Sequence, residues 1–161
     1  MSKRDQIYTN FSSALGDFVF DERVADVFTD MINRSVPGYS LILEMLGVVT
    51  EKYAKAGTSC FDLGCSLGAS TLAIRCRLDL MAEHTGAAFS LVAIDNSPAM
   101  IERCRANLSR VRSVIPSNVI CQQVQDTTVS KASLVVLNFT LQFLPVEERL
   151  PVLQGIAAGL I

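Results

Sequence analysis

Apolar positions along the chain keep a helical period near the start and then alternate between helical and strand-like spacing to the end. Residues 1 to about 20 are mixed, with Phe11, Phe18 and Phe20 as candidate docking anchors. From Asp21, the positions Val24, Val27, Phe28, Met31 and Ile32 recur at helical spacing, with Asp21 and Glu22 in the first turn. Ser35-Val36-Pro37-Gly38-Tyr39 reads as a turn, and a second helix carries Ile42, Met45, Leu46, Val49 and Tyr53. After the polar break Gly57-Thr58-Ser59 the pattern shortens to a buried strand near Cys60–Leu63, followed by a helix over Ala69–Leu80. A second strand spans Leu91–Asp95. Ser97 and Pro98 then open a helix as N-cap and first helical residue, and it runs to about Arg112 with Ile101, Cys104, Leu108 and Val111 on one face. A third strand is expected at about Asn118–Val124, and a fourth at Ser133–Phe139, the most hydrophobic. A last helix runs from Val146 to Leu160. Pro151 falls within it, where a missing N–H and a ring clash cost about 3 kcal/mol at an interior position.

Strands alternating with helices predict an α/β fold with a parallel sheet and right-handed crossovers. Ligands of such sheets bind beyond the carboxyl ends of the strands. Gly64–Gly68, Asp95, Gln123–Val124 and Asn138 all fall at those ends, so four strand tips converge on one expected site. Residues 1–55 are expected to form a helical segment before a binding domain over 56–161. That segment is either a lid that brings Tyr39 to the pocket or ordinary core covering one edge of the sheet.

Composition narrows the class. The chain has 161 residues, half of them apolar, and a formal net charge of −2, which suits one domain with a sizeable core. No apolar run is long enough to span a bilayer, and Met1-Ser2-Lys3-Arg4-Asp5-Gln6 has no apolar signal core. A cytoplasmic protein without a membrane partner is expected. Without a dense Lys/Arg cluster, direct nucleic-acid binding is not expected. Cys60, Cys65, Cys76, Cys104 and Cys121 show no metal-ligand spacing, so no metal is expected. Cys60, Cys104 and Cys121 fall on strand or apolar-face positions, while Cys65 lies within a glycine loop, where a packing or backbone role is favoured over a catalytic thiol. His84, the only histidine, stands in the polar stretch Glu83-His84-Thr85-Gly86 and reads as a solvated loop residue.

The candidate chemistry lies in Phe61-Asp62-Leu63-Gly64-Cys65-Ser66-Leu67-Gly68. A strand ending in a glycine turn that feeds a helix brings backbone close to a ligand, and the helix points unpaired N–H groups into the same space. No G-x-G-x-x-G is present, so the dinucleotide fingerprint is absent. Asp95, at the tip of the next strand, is placed to accept both hydroxyls of a ribose.

Asp-x-Gly-x-Ser-x-Gly, a strand-end Asp, a polar third tip and Leu-Asn-Phe-Thr together resemble a class I S-adenosylmethionine-dependent methyltransferase, a Rossmann-like fold. Longer segments are more specific: Phe20-Asp21-Glu22-Arg23-Val24-Ala25, Arg34-Ser35-Val36-Pro37-Gly38-Tyr39, Asp62 through Ala69, Ala93 through Cys104, and Val135 through Leu144. These resemble the carboxy-S-adenosyl-L-methionine synthase family over nearly the whole chain. The resemblance implies conversion of S-adenosyl-L-methionine and prephenate to carboxy-S-adenosyl-L-methionine and phenylpyruvate, with carbon dioxide from prephenate captured by a sulfonium ylide. It also implies a homodimer, and a product used by a partner enzyme that carboxymethylates wobble uridines in tRNA. Carried over by position, Tyr39 contacts the cofactor, Gly64, Cys65 and Ser66 cradle its methionine part, and Asp95 and Asn96 take the ribose and adenine edge. Gln123 and Val124 then meet the adenine, and Asn138 lies beneath the sulfonium. No catalytic residue is assigned.

This chain departs from the family at Gln122-Gln123, where Gly-Asp is usual. Gln123 accepts without charge, so cofactor binding is expected to be weaker by roughly 1–3 kcal/mol. Family members also continue past Gly159-Leu160 with a further strand and an arginine for the transferred carboxylate. A C-terminal truncation is therefore expected, leaving Ser133–Phe139 as a bare edge. Two alternatives stay open: a non-catalytic nucleoside-binding module, and an ordinary small-molecule methyltransferase.

Overall fold

The computed structural model describes residues 22–161; the candidate anchors Phe11, Phe18 and Phe20 lie outside them. Five helices and four strands follow in the order α1 (Glu22–Ser35), α2 (Tyr39–Tyr53), β1 (Ser59–Leu63), α3 (Ala69–Thr85), β2 (Ser90–Asp95), α4 (Pro98–Ser109), β3 (Ser117–Cys121), β4 (Ala132–Val136) and α5 (Val146–Gly159). The strands form one parallel sheet in the order β3-β2-β1-β4.

The central strand β1 is covered on both faces, which is why it reads as a continuous apolar run rather than an alternating one. Cys60 packs with Leu91, Leu134 and Val136 against Ile74 and Leu78 of α3, with Leu46 and Val49 of α2 behind them. Phe61 and Leu63 face the opposite side, with Ile94 and Ile156 of α5. Leu63, Ile74, Leu78, Leu91 and Ile94 are almost fully buried, each contributing about 1.5–3 kcal/mol of transfer free energy.

Several boundaries differ from the sequence reading. Helix α3 continues five residues past Leu80, because Met81 and Ala82 still pack on the core below its polar side. His84 thus stands on the last helical turn, with Nδ1 2.6 Å from the Leu80 carbonyl, and is exposed as expected; Gly86 ends the helix in the left-handed region. Strand β3 stops at Cys121, so Gln122 and Gln123 lie beyond it, and Val124 begins a short 3-10 turn. Strand β4 stops at Val136, which releases Asn138 and Phe139 into the following turn. Met45 and Tyr53 are half exposed on the outer side of α2, and Val111 and Cys121 are also exposed. Helix α2 and strand β3 turn only one side to the core, while α4 stops at Ser109 rather than near Arg112, so Val111 lies past its end and not on its apolar face. Pro151 sits inside α5 without breaking it, in the second turn of the helix.

Strand β4 ends the sheet. Its outer side is met at one end: Leu160 bridges Ala132 in parallel, and Ile161 N–H donates to Ala132 O at 3.0 Å.

Candidate ligand-binding site

The loop after β1 is built around backbone that has no room for a side chain. Gly64 sits at φ +83°, and a Cβ there would overlap the Thr140 side chain. Thr140 is held in that place because its hydroxyl donates to Leu63 O at 2.7 Å. Gly68, at φ +86°, lies against the thiol of Cys104. Both positions combine a left-handed backbone with close approach, which only glycine meets without strain. The N–H groups of Gly64 and Cys65 both donate to Ile94 O, at 2.7 and 2.9 Å, locking the loop to the tip of β2.

Asp95 completes that lock. Its Oδ2 accepts the Ser66 N–H and its Oδ1 the Ser97 N–H, each at 2.9 Å. Ser97 in turn caps α4 by accepting the Met100 N–H at 3.3 Å, with Pro98 in the first turn, as the sequence predicts. Burial raises the Asp95 carboxyl above the usual carboxylate range, and the two N–H donors oppose that rise. Each oxygen keeps a second lone pair for a ligand hydroxyl.

Beneath the loop, Asp62 is completely buried. Thr71 Oγ1 donates to its Oδ2 at 2.6 Å, while Oδ1 has no hydrogen-bond partner among the described residues. Burial pushes this carboxyl up to about 6; the Thr71 hydrogen bond opposes the shift, and the nearby Asp95 charge adds to it. The Cys65 thiol is raised by its hydrogen bond with Cys104 and by burial, so it stays protonated and packs rather than attacks. Tyr39, at the start of α2, is raised by burial and by Asp62.

One cavity of about 920 Å³ opens beyond the strand tips. Tyr39, Gly64, Cys65, Ser66, Asp95, Asn96, Gln123, Val124 and Asn138 all line it. Asn138 donates to Ser70 Oγ at 3.0 Å, and Asn96 Nδ2 donates to Gln123 Oε1 at 3.1 Å across the rim. Phe28, Met31 and Ile32 of α1, together with Phe143 and Leu144, add apolar side chains to its lining. Among the described residues that line it, Asp95 is the only carboxylate and none is Lys, Arg or His.

Sequence reasoning passed over some of these positions. The α1 residues read as ordinary core because their helical spacing is the same in both roles. Phe139, at φ +61°, and Thr140 stood within the quoted Asn138-Phe139-Thr140 run, but nothing in residue type marks a left-handed phenylalanine. Among the described residues, no group of three His, Cys, Asp or Glu side chains could hold a metal, and no helix is long and apolar enough to cross a membrane.

Comparison with known proteins follows this geometry. Residues 60–160 match the family described as "Methyltransferase domain". The carboxy-S-adenosyl-L-methionine synthase of Hahella chejuensis is 54% identical over 157 residues, 98% of this chain and 63% of that protein. The protein of the same name from Escherichia coli O1:K1 is 49% identical over 160 residues, 99% of this chain. The chain thus spans 63% and 62% of these relatives' lengths. Among solved structures, a putative S-adenosyl-L-methionine-dependent methyltransferase from Methanococcus maripaludis superposes with a TM-score of 0.65 at 18% identity, covering 90% of this chain and 63% of that one. The plantazolicin methyltransferase in complex with SAH superposes at 0.54 and 18% identity, covering 83% of this chain and 48% of that one. The sheet and its flanking helices have the Rossmann-like class I methyltransferase fold. The chain belongs to the methyltransferase domain family and, within it, is similar to the carboxy-S-adenosyl-L-methionine synthases.

Proposed function

We propose that the cavity binds S-adenosyl-L-methionine and that the protein acts as a carboxy-S-adenosyl-L-methionine synthase. The observation that carries this reading is the electrostatic character of the cavity. Among the described residues its lining holds one carboxylate, no cation and many apolar side chains, with the fully buried Asp62 behind it. A positive sulfonium suits such a wall, whereas the pyrophosphate of a dinucleotide does not. The residues fit the ligand in size and chemistry. Gly64, Cys65 and Ser66 present their loop to the cavity, and the start of α3, which has no side-chain cap, turns the positive end of its dipole toward a carboxylate. Asp95 keeps lone pairs for ribose hydroxyls.

The ligand would supply an activated methyl carbon. Prephenate loses its ring carboxyl as carbon dioxide and its ring hydroxyl as hydroxide to leave phenylpyruvate. The methyl group gives up one proton to that hydroxide as water, and the carbon dioxide bonds to the methyl carbon. What this chain does is hold the parts and keep them dry. Tyr39 stands at the mouth, Asn138 is fixed by Ser70, and the apolar side chains of α1 and of Phe143 and Leu144 limit water. The segment over 1–55, described from residue 22, acts in this reading as a lid, ahead of the binding domain over 56–161. The carboxylated product would serve a partner enzyme that modifies wobble uridines in tRNA, and the active species would be a homodimer.

A second reading rests on the same wall. Prephenate carries two carboxylates, and the described lining offers them no cation, which supports a nucleoside-binding module as the alternative. Native mass spectrometry of the purified chain, followed by incubation with S-adenosylmethionine and prephenate, separates the two. Binding with formation of the carboxylated product supports the synthase, and binding without product supports the module. An empty chain that takes up no S-adenosylmethionine overturns both.

A further inference from the structure

The Asn96–Gln123 hydrogen bond determines which ligand edge the rim can read. Asn96 follows the tip of β2 and Gln123 lies just past β3; both side chains are exposed and both line the cavity. With Asn96 Nδ2 donating to Gln123 Oε1, each amide has one end engaged. Asn96 Oδ1 is left as an acceptor and Gln123 Nε2 as a donor. That pair matches the edge of a 6-amino purine, whose exocyclic amine donates and whose ring nitrogen N1 accepts.

An amide can turn by 180° about its last torsion, exchanging oxygen for nitrogen. If both turn together, the bond between them survives with its direction reversed, from Gln123 Nε2 to Asn96 Oδ1. The free ends are then Asn96 Nδ2, a donor, and Gln123 Oε1, an acceptor. This arrangement matches a 6-oxo purine, whose O6 accepts and whose N1–H donates. A carboxylate at position 123 could do neither exchange, because it only accepts. The one carboxylate of the lining, Asp95, is already engaged by two backbone N–H groups and does not impose a fixed polarity on the rim.

We infer that Asn96 and Gln123 form a reversible amide pair that admits 6-oxo as well as 6-amino purine nucleosides. This deepens the proposed function and rests on it, since it takes the ligand's base to lie against this rim. Discrimination in hydrogen-bonding sites comes from polar groups left unpaired by the wrong ligand, and here neither base leaves one.

The test is calorimetric titration of the full chain with S-adenosylhomocysteine and with S-inosylhomocysteine. The expected dissociation constants differ by less than about threefold, while Gln123→Glu, which keeps the side-chain length and sets an acceptor against purine N1, favours the inosyl compound by about tenfold or more. Asn96→Asp, placing the carboxylate against the 6-substituent, is expected to show the opposite preference, for the adenosyl compound, because it accepts from the exocyclic amine and repels O6. If the unmodified chain binds the adenosyl compound at least about tenfold better than the inosyl one, the inference is overturned and the proposed function stands. If it binds neither, both are overturned.

Discussion

Thr71 Oγ1 donates to the fully buried Asp62 Oδ2 at 2.6 Å, and the other carboxylate oxygen has no partner among the described residues. The first turn of α3 is thereby tied to the last residues of β1, directly beneath the glycine loop. A single hydrogen bond does not replace the hydration that a carboxylate loses on burial.

Asp62 is therefore expected to make stability depend on pH. Its folded value of about 6 lies above its ordinary 3.8, so the folded state holds the proton more tightly than the unfolded chain. Stability then falls as pH rises through that window and is fully lowered above it. Asp62→Asn removes the penalty. Urea midpoints should show the variant more stable by on the order of 3 kcal/mol near pH 8, with the advantage shrinking near pH 4. An equal difference at both pH values would show that the effect is packing rather than charge.

Gly64→Ala is expected to destabilise the chain by about 3 kcal/mol, from a left-handed alanine and from overlap with Thr140. Adding Thr140→Ala should return part of that loss, because it removes the overlap but not the backbone strain. A double-mutant cycle by thermal unfolding measures the coupling, and simple additivity would mean that Thr140 is not the obstruction.

Asp95→Asn should weaken nucleoside binding by roughly 10- to 100-fold. It replaces one acceptor by a donor facing a backbone N–H of Ser66 or Ser97, so the glycine loop loosens as well. Titration calorimetry with S-adenosylmethionine checks the affinity, and amide exchange at Ser66 checks the loop. Retained affinity would remove Asp95 from the ligand site.

Arg75 serves stability without touching the cavity. Its buried Nη2 donates to the carbonyls of Leu108, at 2.8 Å, and Val111, at 3.2 Å, closing the C-terminal end of α4. Arg75→Met should cost about 2 kcal/mol and leave ligand affinity unchanged. A loss of affinity with unchanged melting temperature would contradict this division of labour.

The order of elements was legible in the sequence because burial on both sheet faces writes short apolar runs, and helix spacing between them is unambiguous. The N-terminal cap of α4 was equally plain, since Ser97-Pro98 carries its own local chemistry. Ends were less legible. Glu83-His84-Thr85 looks like a loop, yet α3 continues because its opposite side still meets the core, and that contact is not local. Strand β4 stops before its apolar run does, and β3 ends with its own at Cys121, which leaves Asn138 and Gln123 off the strands and on the cavity rim.

By itself, the sequence determined the alternation of strand and helix, the glycine turn after β1 and the acid at the tip of β2. Each depends on residue type and spacing within a few neighbours. Only the tertiary structure decided that Thr140 fills the space denied to a side chain at Gly64, that Asp62 has one oxygen without a partner, and that Asn96 and Gln123 occupy each other. These are contacts between residues far apart in the chain, and their identity depends on how the parallel strands are ordered and registered. Periodicity records which side of an element is buried; it does not record which atoms it meets there.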